Sequence, residues 1–301
     1  MNKTEKSHSA VNKPITILGV PSCLGGSEFG CQEGPAAIRK VLMPMLKKHG
    51  IPYRDIGDIE APKLCVITDT HAKCLKEIRV ADDLLGKKIR QEKLFGSTGK
   101  ASFQALFLVL LGGDHSLNYA FILEARKKHK PLGLIWFDAH ADFNTPEITP
   151  SGNVHGMVLA GLAKKIGEKN IVIFGVRDMD PEEKTRLHKS KVTVITMDEI
   201  KKKGIEKSLQ KAFKALSKTK AIHLSFDLDF FDPSIAPGTG TPVKKGLSAS
   251  GFKILMQTLR KQKSPPIISA DIMELNPLKD KYNKTARLAA QIIIGLANLS
   301  K

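Results

Sequence analysis

Apolar residues recur along this chain in two rhythms. Short β-rich runs, PITILGV, IPYRDIGDI, ALFLVLL, LGLIWF, NIVIFGV, KVTVITM, AIHLSFD and PIISADI, have the length and composition of strands. Between most of them apolar residues return every three or four positions, over 34–49, 70–93, 116–129, 198–217 and 248–262, and KTARLAAQIIIGLANLS closes the chain. That second rhythm is the signature of amphipathic helices. Strand and helix in alternation imply right-handed βαβ units, so the pattern predicts an α/β fold: a single three-layer α/β/α domain with a mostly parallel sheet of about eight strands. No repeat or low-complexity linker divides the chain. Residues 14–301 are expected to form the one domain, behind a short flexible tail at 1–13, MNKTEKSHSAVNK.

Composition narrows the function classes. The chain has 301 residues, 42% hydrophobic and 26% charged, and no run approaches the roughly 18 apolar residues of a membrane span. The N-terminus lacks the apolar core of a secretion signal and, with Glu5 and no arginine, does not read as a transit peptide. A cytoplasmic protein is expected. Cys23, Cys31, Cys65 and Cys74 form neither a Cys-x-x-Cys pair nor a dense scaffold, so reduced thiols are the default expectation. A net charge of +18 invites a nucleic-acid or anionic-membrane partner. The lysines are spread along the chain in short groups, more like solvated helix faces than a binding arm, so neither partner is expected.

Against that basic background the acids cluster. Eleven of the 30 Asp and Glu residues fall in four short segments: Asp138 and Asp142; Asp178, Asp180, Glu182 and Glu183; Asp227, Asp229 and Asp232; Asp271 and Glu274. With GGDHS, these segments follow the apolar runs, at strand C-termini, where ligands bind in open parallel sheets. In DAHAD, Asp138, His140 and Asp142 occupy every second position, and Asp227 and Asp229 repeat the i, i+2 relation in SFDLDFFDPS. Carboxylates at one strand end repel unless a cation lies between them. Adding His115 makes two histidines and four aspartates, too many for a closed zinc site and suited to two oxygen-rich ions, manganese above all. In GGDHS, Ser116 is a candidate cap for a helix from Leu117, and Asp114 reads as a brace for the turn. Taken singly, each motif also fits a bland reading: an acidic surface loop for DAHAD, a packed histidine for His115, a turn for Asp232.

In order and spacing, GGDHS, DAHAD, SFDLDFFDPS and DIMEL resemble the ureohydrolase family, dinuclear manganese enzymes that hydrolyse guanidino groups to urea. The resemblance runs from GVPSCLGG at residue 19 to the last helix, and it implies the arginase-like fold. The segment NTPEITPSGNVHGM looks like the arginase subgroup, in which Asn144, Ser151 and Asn153 match positions that hold the α-carboxylate of arginine. In GVRDMDPEE, Asp180 would receive the α-ammonium, with Asp178 and Glu183 supporting that end of the pocket. The resemblance further implies that His115, Asp138, Asp142 and Asp227 bind one manganese and Asp138, His140, Asp227 and Asp229 the other, with cobalt or nickel as substitutes and no organic cofactor. It implies hydrolysis of L-arginine to L-ornithine and urea by a metal-bridging hydroxide attacking the guanidinium carbon. His155 would serve as proton shuttle or general acid, Asp142 would accept the hydroxide's hydrogen bond, Glu274 would orient the guanidinium and Thr241 would stand near the hydroxide. A homo-oligomer, trimer or hexamer, is also implied.

Three rivals stay open: an agmatinase or another guanidine ureohydrolase, a metal-dependent deacetylase sharing the architecture, and a basic binding protein on an inactive fold. The chain also departs from the family pattern. After GTGTPV the family often continues with two glycines where this chain has KKGLS, and GGSEFGCQEGP is looser than usual.

Overall fold

The computed structural model describes residues 14–26, 28–96 and 107–299, so the expected tail at 1–13 lies outside the described residues. The apolar runs form eight strands: β1 (Ile15–Val20), β2 (Tyr53–Asp58), β3 (Phe107–Gly112), β4 (Leu132–Phe137), β5 (Ile171–Val176), β6 (Thr193–Thr196), β7 (Ala221–Asp227) and β8 (Ile267–Met273). All pair in parallel, in the order β2-β1-β3-β8-β7-β4-β5-β6. The helices are α1 (Gly34–Lys48), α2 (Leu75–Gln91), α3 (Tyr119–Lys128), α4 (Val158–Ile166), α5 (Pro181–His188), α6 (Met197–Lys203), α7 (Ile205–Ala215), α8 (Ala249–Lys261) and α9 (Lys284–Ala297).

Side chains alternate across a strand, so each strand feeds two cores. Ile135 and Phe137 of β4 pack with residues of α1 and α6 to α9, whereas Leu134 and Trp136 pack with α3 and α4 on the other face. Leu108 and Leu110 of β3 extend that second layer onto α2. The result is three layers, α/β/α. Among the described residues no helix is long and apolar enough to cross a membrane.

Several sequence expectations are corrected. The helix expected over 198–217 is two, because Gly204 adopts φ +84, which a continuing right-handed helix cannot contain. The helix expected from residue 70 begins at Leu75, after an irregular segment. Asp114 is the cap of the turn that follows β3, accepting the Ser116 N–H, whereas Ser116 itself lies inside a 3-10 turn, His115–Asn118. The thiols are not all reduced. Cys65 and Cys74 form a disulfide with their Cα atoms 5.6 Å apart; the pairing arises because the chain doubles back between β2 and α2, a tertiary event that nine-residue spacing does not announce. Cys23 and Cys31 are free and buried.

Candidate active site

The five acidic or histidine-bearing motifs leave β3, β8, β7, β4 and β5, and these are five adjacent strands of the sheet. Sequence order scatters them; sheet order gathers them at one edge. There His115 Nδ1 lies 3.1 Å from Asp227 Oδ2, 3.2 Å from Asp138 Oδ2 and 3.3 Å from Asp142 Oδ2. His140 Nδ1 lies 3.0 Å from Asp229 Oδ2 and 3.5 Å from Asp138 Oδ1. Two donor groups with metal-holding geometry result, His115 with Asp138 and Asp142, and Asp138 with His140 and Asp229, sharing Asp138.

Asp138, Asp227 and Asp229 are oriented by protein N–H groups. Asp138 Oδ1 accepts from the His140 backbone and Oδ2 from the Trp136 indole, whose ring stacks on His115 at 4.0 Å. Asp227 Oδ1 accepts the Asp229 N–H, and Asp229 Oδ1 accepts the Ala139 N–H, leaving the Oδ2 atoms toward the imidazoles. Thr241 Oγ1 donates to Asp229 Oδ2 at 3.3 Å. Asp142 sits at φ +51 and Glu274 at φ +65. Such conformations are strained for residues with a Cβ and concentrate at functional sites.

Electrostatically the cluster is short of positive charge. Burial and neighbouring carboxylates push Asp142, Asp227 and Asp229 up, while Asp138, although buried, is held far below the ordinary range by both imidazoles. Burial opposes the charging of His115 and His140, but the carboxylates win and raise both well above the usual histidine value. The groups therefore hold protons that a divalent cation would displace.

The His115 tautomer follows from the polar network behind it. Asp271 can only accept, and Ser225 Oγ donates to it at 2.7 Å. With its hydrogen spent, Ser225 Oγ accepts from Asn118 Nδ2 at 3.1 Å and from His115 Nε2 at 2.8 Å. The Nε2–H fixes the proton there in the neutral ring and turns the Nδ1 lone pair toward the carboxylates. Asp271 also accepts from Asn118 and meets His223 Nε2 at 2.8 Å, while His223 Nδ1 meets Ser269. Asp271, grouped with the site acids by sequence, lies inside the sheet and acts through His115. Trp136, Asn118, His223, Ser225 and Ser269 were missed as site residues. A signal existed: His223, Ser225 and Asp227 alternate on one face of β7, and His223 and Ser225 pair in register with Ser269 and Asp271 of β8.

A cavity of about 240 Å³ opens beside the cluster, lined by His140, Asp142 and Asp227 at one part and by Asn144, Ser151, Asn153, His155, Asp178, Asp180, Glu183 and Thr241 elsewhere. Asn144 Nδ2 donates to Asp180 Oδ2 at 2.9 Å, and Asn144 Oδ1 is buried without a partner. Glu183 accepts the Phe143 and Asp180 N–H groups in a capping box that starts α5; burial nonetheless pushes its carboxyl up to about 7. Asp178 is exposed, 3.9 Å from His140 Nε2. Ser151 Oγ accepts the Asn153 N–H. Glu274 is not a lining residue: its Oε1 accepts the His115 N–H at 2.9 Å and meets His155 Nδ1 at 3.0 Å. Burial alone would lower the His155 imidazole, but the Glu274 hydrogen bond and charge push it up to about 9.

The loop that departs from the family pattern is held by Arg177, which donates to the carbonyls of Val243 and Lys244 and of Asp229. Lys245 stands there at φ +65, a conformation that glycine would adopt without strain. Asp232 caps its turn, accepting the Ser234 and Gly246 N–H groups.

The sequence profile of the Arginase family matches residues 13–297. The chain is 35% identical to an arginase of Bacillus subtilis (strain 168), with 95% of this chain and 98% of that protein aligned. A crystal structure of arginase from Bacillus subtilis superposes with a TM-score of 0.83 at 34% identity, covering 96% of this chain and 99% of the other. Proclavaminate amidino hydrolase from Streptomyces clavuligerus superposes with a TM-score of 0.73 at 25% identity, over 96% and 92% of the two chains.

Proposed function

The chain belongs to the arginase family, and on that premise we propose that it hydrolyses L-arginine to L-ornithine and urea with two manganese ions as cofactor. The donor set supports the cofactor. Four buried carboxylates and two imidazoles converge, and among the described residues no lysine or arginine side chain bonds those carboxylates. Carboxylate with imidazole suits manganese, with cobalt or nickel as substitutes. His115, Asp138, Asp142 and Asp227 would hold one ion, and Asp138, His140, Asp227 and Asp229 the other. Two ions held there supply water made acidic enough to attack a guanidinium at working pH.

The observation that carries the substrate assignment is the Asn144–Asp180 hydrogen bond, which sets an amide and a carboxylate side by side in the cavity that the metal cluster also lines. Asp180 is the acceptor for an α-ammonium, and the second Asn144 N–H, Ser151 and Asn153 are neutral donors for an α-carboxylate. Agmatine has no carboxylate and would leave those donors unused. Thr241 steadies Asp229, and Asp178 and Glu183 support the ammonium end. Asp142 takes up the proton of the attacking water. Glu274 lies behind the lining, with Oε1 engaged and Oε2 left to orient the guanidinium from beneath, and His155, kept protonated by Glu274, delivers a proton to the leaving amine.

Urea release from manganese-loaded protein, with L-arginine and agmatine offered separately beside a chelated control, tests the assignment. Manganese-dependent urea from arginine alone is expected. Urea from agmatine instead would overturn the substrate, and none from either would overturn the activity.

A further inference from the structure

The segment between β2 and α2 has no role in the chemistry above, yet it meets the substrate loop around Gly152 and Val154. The Lys73 N–H donates to the Gly152 carbonyl at 2.9 Å. Gly152, at φ +72, lies so close to this segment that a Cβ there would collide with the Thr70 carbonyl. Gly152 is flanked by Ser151 and Asn153. Ala72 and Cys74 share an apolar cluster with Val154, the residue between Asn153 and His155. The backbone of residues 70–74 is thus a template on which the 151–155 turn is formed.

Ala72 and Cys74 anchor the inner side of the template by burial, and the disulfide ties down its exposed side. Residues 66–71 are all exposed, including Val66 at 78% and Ile67 at 55%, so burial does little to fix them. The Cys65–Cys74 bond closes this segment into a ring. Constraining such a loop removes much of its freedom to peel away from its neighbour.

We propose that the Cys65–Cys74 disulfide is a positioning clasp for the α-carboxylate end of the substrate pocket, and that a dithiol reductant weakens arginine binding by opening it. This rests on the arginase reading above for its substrate, though not for its geometry. Cys65 is half-buried and Cys74 buried, so exchange starts at Cys65. A thiolate of the reductant attacks Cys65 Sγ, the S–S bond breaks, and Cys74 leaves as thiolate. The second thiol of the reductant then displaces Cys65 and closes its own disulfide. Two electrons pass to the protein, and two protons end on the two cysteine thiols.

The test compares the manganese-loaded protein in oxidised and dithiol-reduced states, re-equilibrated with manganese after removal of reductant under anaerobic conditions, together with Cys65→Ser. Peptide mapping without reduction establishes the linkage. Steady-state kinetics on arginine and hydrogen exchange at the Lys73 amide provide the readouts. Reduction and Cys65→Ser are each expected to raise KM for arginine about fivefold, the worth of roughly one hydrogen bond, with kcat within about twofold. Lys73 should exchange faster in both, and Cys65→Ser should no longer respond to reductant. Free thiols at both positions in the oxidised protein would overturn the clasp. So would unchanged Lys73 exchange and KM on reduction, or a fall in kcat alone, which would mark a general structural role. Absence of urea in every state would refute the arginase reading, while mapping and Lys73 exchange would still judge the clasp.

Discussion

Replacing Asp271 by asparagine tests whether a residue with no contact to the metal cluster controls it. The carboxylate accepts from Ser225 at 2.7 Å and from Asn118 at 3.0 Å, and meets His223 at 2.8 Å. Asparagine offers one oxygen and one NH₂, so at least one partner meets a donor. If the NH₂ faces Ser225, the serine hydrogen must turn to His115 Nε2, which then needs a lone pair there and carries its proton on Nδ1, against the cation. If it faces Asn118 and His223, donor meets donor at Asn118 unless that amide turns over and gives up Ser225. Either way the orientation of His115 loses one link, and loss of such a supporting partner typically costs about 10- to 100-fold in metal affinity, about 1.4–2.7 kcal/mol. Titration calorimetry of metal-free wild type and Asp271→Asn with manganese at neutral pH measures it directly, with circular dichroism to verify the fold. Affinity within twofold of wild type would refute the tautomer argument.

Other expectations follow from the same geometry. Asp227→Ala should lose bound manganese, measured by elemental analysis, and lose activity while keeping its fold; full activity would refute its place among the ligands. Glu274→Gln removes the largest of the influences that raise His155 to about 9, leaving those of Asp142 and Asp114. A raised histidine stabilises fully below its unfolded value near 6.5 and loses that contribution as pH climbs through about 9, so metal-free wild type should exceed the variant by about 2 kcal/mol at pH 6, in thermal melts, and by much less at pH 10. A pH-independent gap would contradict this. Asp82 is pushed up to about 7 by burial while accepting the Ala120 N–H at 3.0 Å. Here the folded state binds the extra proton, so stability falls as pH rises from about 4 to 7; Asp82→Asn should gain about 1 kcal/mol at pH 8 and nothing at pH 4, allowing for solvent screening.

Sequence by itself determined the strands, most helices, the layer architecture and the residues of the cluster, because those depend on local periodicity and on carboxylates and imidazoles at fixed spacing. DAHAD orients Asp138 through the His140 N–H two residues away, and the Asp227–Asp229 pair likewise settles within its own turn. Tertiary structure decided what depends on strands distant in sequence becoming neighbours. The order β3-β8-β7-β4-β5 alone brings His115 to Asp138 and Asp227. The alternation of His223 and Ser225 in β7 was visible, but which partners satisfy them is set by the register of β8, whose pairing residue Asp271 reads as one more site acid. The break at Gly204 was present as a residue and overlooked inside a long apolar rhythm. The Cys65–Cys74 bond and its contact with Gly152 were not legible, since they arise where two irregular segments meet and no periodicity governs irregular backbone.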